Sequence, residues 1–211
     1  MEGGIVTLLN RIGVFFMIIG ILVGGYYFFE WYKEKSSAQD LTIEEVKQLE
    51  KITAKDNTTE TVANSQIPSS QMKRQEGERV AILHIPKIKK KFSTYWGTNA
   101  ATLKKGVGMF VSDMTTTPSE GGHTVLSGHR DTVFIELGEL KEKDNLIVEY
   151  DHKNYLYEIH KIWITDADDR TVIVKKKEPT LTMTTCYPFD YIGDAPDRYI
   201  IQAKLIAIHS K

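Results

Sequence analysis

Hydrophobic and polar positions divide this chain into three stretches of different period. Residues 12–29 (IGVFFMIIGILVGGYYFF) are uninterrupted by charge. As a helix, such a run spans about 27 Å, close to the roughly 30 Å of bilayer hydrocarbon. Tyr26, Tyr27, Trp31 and Tyr32 cluster at its end, as interfacial aromatics do. A cleaved signal peptide fits less well, because the apolar core is too long and the small residues Ser36, Ser37 and Ala38 lie beyond the bulky aromatics. A buried helix of a soluble fold also fits poorly. The pattern predicts an uncleaved membrane anchor over residues 1–35. Arg11 on one side, against Lys33 and Lys35 on the other, leans slightly towards a cytoplasmic C-terminus and decides nothing.

The second stretch is short and mixed. Thr42, Ile43, Glu44 and Glu45 match a capping box, with Thr42 as N-cap and Glu45 reaching back. Leu41, Val46, Leu49 and Ile52 then give a narrow apolar stripe on a short helix. From residue 53 to 77 the chain turns polar and reads as a tether. Residues 36–78 are therefore expected as helix plus tether, and 79–211 as the globular domain.

In the third stretch the period drops to two. Residues 80–85 (VAILHI) stop at Pro86, and residues 123–127 (HTVLS) follow a Gly-Gly pair. Residues 146–150, 155–165, 171–174, 180–186 and 199–208 also alternate or are rich in β-formers. Helical patches are weak, at 100–105 and 134–140. Short strands between turns predict an all-β antiparallel sandwich or closed barrel, and about 130 residues suffice for one such core.

Composition changes this picture little. With 41% hydrophobic and 26% charged residues and a formal net charge of −1, the chain is globular and gives no case for nucleic acid. Cys186 is the single cysteine, so no internal disulfide forms. No Cys pair and no H-E-x-x-H spacing point to zinc; no metal or cofactor is expected.

The chemistry concentrates in three places at strand ends. Cys186 closes the strand TLTMTTC before Tyr187-Pro188. His129 follows a strand in Ser127-Gly128-His129-Arg130-Asp131, where Gly128 permits a sharp turn. Arg198 opens the last strand after Gly193-Asp194-Ala195-Pro196-Asp197. A thiol, a proton carrier and a fixed cation are what cysteine-dependent acyl transfer requires. Each also has a plain role: packing for Cys186, a loop contact for His129, and pairing with Asp194 or Asp197 for Arg198. Spacing alone leaves these alternatives open.

Taken in order, the motifs resemble the sortase family, the membrane-anchored transpeptidases of Gram-positive cell surfaces. The resemblance rests on residues 85–88 (IPKI), 97–108 (GTNAATLKKGVG), 126–134 (LSGHRDTVF), 137–140 (LGEL), the cysteine strand, and Asp197-Arg198-Tyr199. The T-L-x-T-C pattern falls on Thr182, Met183, Thr184, Thr185 and Cys186, with Met183 in place of Leu, a near volume-conserving exchange. Met109 stands where many relatives carry histidine. The run TTCYPF is most similar to class D. Class C is less similar, since no Asp-Pro-aromatic lid motif precedes the first strand.

The resemblance implies a closed eight-stranded sortase barrel. It implies Cys186 as nucleophile, His129 as general acid/base and Arg198 as the cation that stabilises the oxyanion or orients substrate. Thr184, Thr185 and Tyr187 are implied as substrate-binding neighbours. The implied reaction is cleavage of an LPXT-type sorting signal after Thr and transfer to a peptidoglycan amine, with the N-terminus cytoplasmic and the barrel outside. A hydrolytic cysteine peptidase and a non-catalytic peptide-binding barrel are the alternatives. Asp131 is expected to orient Arg130 or the loop, and Asp166, Asp168 and Asp169 to form a solvated acidic turn.

Overall fold

The computed structural model describes residues 2–35, 38–54, 65–190, 193 and 195–210, with side chains described in the first of these segments only for 10–29. Two compact units divide the chain at Ser36. The first is one helix, α1 (Glu2–Lys35), whose apolar window runs from Asn10 to Phe29. Trp31 and Tyr32, expected as interfacial aromatics, fall outside the described side chains.

The second unit is built on strands β1 (Ala38–Asp40), β2 (Arg79–Ile85), β3 (Lys90–Trp96), β4 (Val107–Met109) and β5 (His123–Ser127). It continues with β6 (Asn145–Tyr150), β7 (Lys153–Asp166), β8 (Thr180–Tyr187) and β9 (Asp197–Ser210). The sheet order is β1-β3-β2-β6-β7-β9-β8-β5-β4, and a parallel β3–β4 pairing closes β2 to β9 into a barrel. The expected eight-stranded barrel is therefore present, with the three-residue β1 added beside β3. Alternation puts Leu83, Phe92, Leu146, Tyr157, Met183 and Ile201 inside, where each is almost wholly buried.

Four details depart from the sequence reading. Residues 171–174 are not a strand; they belong to the long connection from β7 to β8. Their β-forming Val172 and Ile173 line a groove instead, described below. The short β3 and β4, missed in the hydrophobic pattern, complete the barrel. The helical patches shrink to α3 (Ala100–Leu103), capped by Asn99 through a 2.8 Å bond from the Thr102 N–H, and a 3-10 turn at Ile135–Glu139.

The fourth concerns the boundary at residue 79. The capping box forms, with Thr42 N–H donating to Glu45 Oε2 (2.9 Å) and Glu45 N–H to Thr42 Oγ1 (3.3 Å). It starts α2 (Ile43–Ala54), whose Leu49, Val46 and Ile52, together with the preceding Leu41, cover Ile147, Leu156 and Ala207 on the outside of the barrel. Residues 55–64 of the expected tether lie outside the described residues. From residue 65 the chain is strapped down: Ser69 is fully buried, its N–H donating to Thr115 O (2.8 Å), and Met72 packs on the core. Serine and threonine hydroxyls carry this contact, which composition alone scores as disordered.

Candidate active site

Cys186 sits near the end of β8, half-buried, directly opposite Arg198 on β9. Directly opposed residues project to the same face with Cβ atoms about 5 Å apart. The pairing is dictated by register: Thr184 meets Ile200 and Cys186 meets Arg198. On its other side β8 pairs in parallel with β5, Ser127 beside Thr184. The pairing runs one step further, with Gly128 N–H donating to Thr184 O (3.3 Å). His129 therefore leaves β5 next to the level of Cys186. The strand order β9-β8-β5 sets the cysteine between the arginine and the histidine turn.

The histidine turn is held from below. His129 O accepts from Phe134 N–H (2.8 Å), and Phe134 is wholly buried, edge-on to Phe92 at 5.8 Å. A Cβ on Gly128 would lie 2.7 Å from the Phe134 ring. Close approach, not a left-handed backbone, is what requires glycine there. Thr185 is buried on the opposite face of β8 from Cys186, and its hydroxyl donates to Gly128 O (2.8 Å), tying the histidine turn to the cysteine strand.

Arg198 Nη1 donates to Asp197 O (3.0 Å) and Ala195 O (3.2 Å). It meets Asp197 through the carbonyl and not through the carboxylate; Asp194 lies outside the described residues. Among the described residues it forms no ion pair with a carboxylate, although Asp166 and Asp169 line the same groove. The Cys186 thiol and the His129 ring likewise make no hydrogen bond to any described residue.

Tyr187 stacks on Tyr199 (6.1 Å between centroids), and Phe189 meets both rings edge-on. Burial, and secondarily Tyr187, raise the Tyr199 hydroxyl above its ordinary pKa. Phe189 rests on Gly138, and Arg130 donates to Gly193 O (2.6 Å). The loop after the cysteine is thus fastened to the loop after the histidine. Asp131 is exposed.

Beside these groups runs a groove of about 380 Å³, lined by Ser127, Thr184, Arg198 and Ile200 on its floor and by Thr98, Leu103 and Phe110 at one end. Thr165, Asp166, Ala167, Asp169, Val172 and Ile173 wall the other side. Asp169 accepts from Thr165 Oγ1 (2.5 Å) and from Thr171 N–H (2.8 Å), and Asp168 N–H donates to Asp166 (2.7 Å). The acidic turn is thus bonded internally, and it shapes the wall.

Sequence reasoning missed His123. Its ring, 1% exposed, links three elements: Nδ1 to Val174 O (2.6 Å) and Nε2 to Thr182 Oγ1 (2.7 Å). A carbonyl only accepts, so Nδ1 carries the proton and Nε2 accepts from the threonine. Burial, with Lys176 nearby, lowers its pKa to about 4 despite the Val174 bond. The one available signal was a histidine opening the strand His123–Ser127.

Residues 83–206 match the family model for the sortase domain. The chain belongs to the sortase family. Its members are cysteine transpeptidases, and this chain is one. It is 36% identical to Sortase D of Bacillus subtilis (strain 168) over 196 residues, 92% of this chain and 98% of that protein. The solved catalytic domain of B. anthracis SrtD is 76% identical, with 68% of this chain and 97% of that one covered at a TM-score of 0.59. The Sortase D5 transpeptidase of Clostridium perfringens is 29% identical, covering 63% of this chain and 82% of that one at a TM-score of 0.56. These relatives place this sortase in class D.

Proposed function

We propose that this sortase cleaves an LPXT-type sorting signal after its threonine and transfers the acyl fragment to a peptidoglycan amine. Cys186 attacks the Thr–x carbonyl as thiolate, forming the C–S bond. His129 protonates the departing amine as the C–N bond breaks; it then takes the proton from the incoming amine, whose nitrogen forms the new C–N bond as the C–S bond breaks and the Cys186 thiolate is returned. Arg198 supplies fixed positive charge where the oxyanion develops, a task suited to a group that stays ionised and presents a rigid fork of donors. Thr184 lines the peptide groove, Thr185 positions the histidine turn, and Tyr187 shapes the rim beside the thiol.

The observation that carries this reading is the placement of Cys186 opposite Arg198 and beside the His129 turn, at the edge of a groove of about 380 Å³. That volume lies in the range of small-ligand sites. The exposed apolar window of α1 supports a membrane position, and on this reading the N-terminus is cytoplasmic and the barrel outside. Surface proteins that carry the signal are the donors.

The test uses the full chain in detergent micelles with an LPXT-type peptide, with and without an added amine. An acyl adduct on Cys186 and an amine-joined product are expected by mass spectrometry. Cys186→Ala should abolish both, and His129→Ala or Arg198→Ala should remove nearly all turnover. Undiminished activity of Cys186→Ala would sink the assignment, and a product made only with water would favour a hydrolase.

A further inference from the structure

A second cavity, of about 500 Å³, adjoins the groove and shares Thr98 with it. Trp96, Gly97, Asn99, Val111, Arg74 and Glu76 complete its lining. The sheet order fixes where it lies relative to the chemistry. Thr98 follows β3, which is separated from the cysteine strand β8 by β4 and β5. Three strand spacings amount to about 14 Å. Four extended residues span about 13–14 Å. On the proposed reading, a four-residue signal whose last carbonyl meets Cys186 therefore has its first residue near Thr98. Residues 165–173 wall the groove on the β7 side, so the polypeptide preceding the signal leaves through the second cavity.

The charges in that cavity are unequally committed. Arg74 is held by Glu78 (2.9 Å) and lies over the Tyr150 ring (5.8 Å). Nearby Lys105 donates to Gly77 O (3.2 Å) and sits 5.8 Å from the Tyr95 ring. Asn99 Oδ1 is used by the Thr102 N–H (2.8 Å). The Glu76 carboxylate has no hydrogen bond or ion pair with any described residue. It lies against Gly97, whose backbone is left-handed (φ +88°) and whose missing Cβ leaves the carboxylate its place.

We propose that this cavity is a subsite for the residue immediately before the sorting signal, and that Glu76 makes it select a basic side chain there. The inference rests on the sorting-signal reading, and the measurement separates the two. Three peptides differing only in that residue, Lys, Ala or Glu, are turned over by the full chain in detergent micelles. The expected order of kcat/KM is Lys, then Ala, then Glu, with steps of about two- to fivefold, as exposed ion pairs give. The steps should appear mainly in KM and shrink at 1 M salt, where the Debye length is about 3 Å. Glu76→Gln should level the three peptides, and Glu76→Lys should invert the order. Equal kcat/KM for all three in the wild type overturns the subsite, as does a preference that survives Glu76→Gln. If none of the three is cleaved, the sorting-signal reading falls, and the subsite with it.

Discussion

Thr182, Thr185 and His123 show how single polar groups set this site. Thr185 looks inward from β8 and holds the histidine turn, while Thr182 and Cys186 share the other face. Thr182 accepts from Gln202 (3.3 Å) and donates to His123, which in turn holds Val174 O (2.6 Å) and with it the wall of the groove. A second proton on the ring must sit on Nε2, where the Thr182 hydroxyl would have to turn from donor to acceptor. With a folded pKa of about 4 against an ordinary 6.5, the unfolded chain binds more protons between these values. Stability therefore rises with pH across that window, and the full penalty, on the order of 3 kcal/mol, is reached below it. Denaturant unfolding between pH 7 and pH 4 should show this slope. In His123→Gln, stability at pH 7 should fall while the slope flattens; an unchanged slope would refute the assignment.

Among the elements, the docked α2 and the barrel strands show what periodicity conveys and what it does not. The capping box and the stripe of Leu41, Val46, Leu49 and Ile52 were legible because each rests on local spacing. Their target, Ile147, Leu156 and Ala207, lies roughly 100 to 160 residues on, and no local pattern names it. The three residues proposed for catalysis were legible as motifs, yet their placement at one end of the barrel depends on the Cys186–Arg198 register and the parallel β5–β8 pairing, both long-range. Residues 171–174 misled because β-branched residues suit a packed wall as well as a strand. Leu49 is 6% exposed, so Leu49→Ala should cost about 2 kcal/mol, the low end for a buried leucine. That corresponds to a drop of about 4–8 °C in melting temperature for a domain of this size. Turnover at 25 °C should stay within about twofold, because α2 covers the barrel away from the groove. A large loss of kcat with no loss of stability would show instead that α2 acts on the site.

At the scale of the whole molecule, an apolar helix and a polar-surfaced barrel make opposite demands on solvent. The window Asn10–Phe29 is 20 residues with mean hydropathy 2.2, and Phe15, Leu22 and Phe29 are each at least 60% exposed. About 30 Å of such surface matches bilayer hydrocarbon. The full chain should sediment with membranes, resist carbonate and dissolve in detergent, whereas a chain lacking residues 1–36 should stay in the supernatant. Orientation can be read from Cys186 itself, because it is the single cysteine and is only half-buried. A membrane-impermeant maleimide added to intact cells should label the chain in proportion to loss of its activity. Cys186→Ala, which leaves no other thiol, should take up none. Labelling that appears only after the cells are broken would place the barrel inside, where it could not meet the cell-wall amine that the proposed transfer requires.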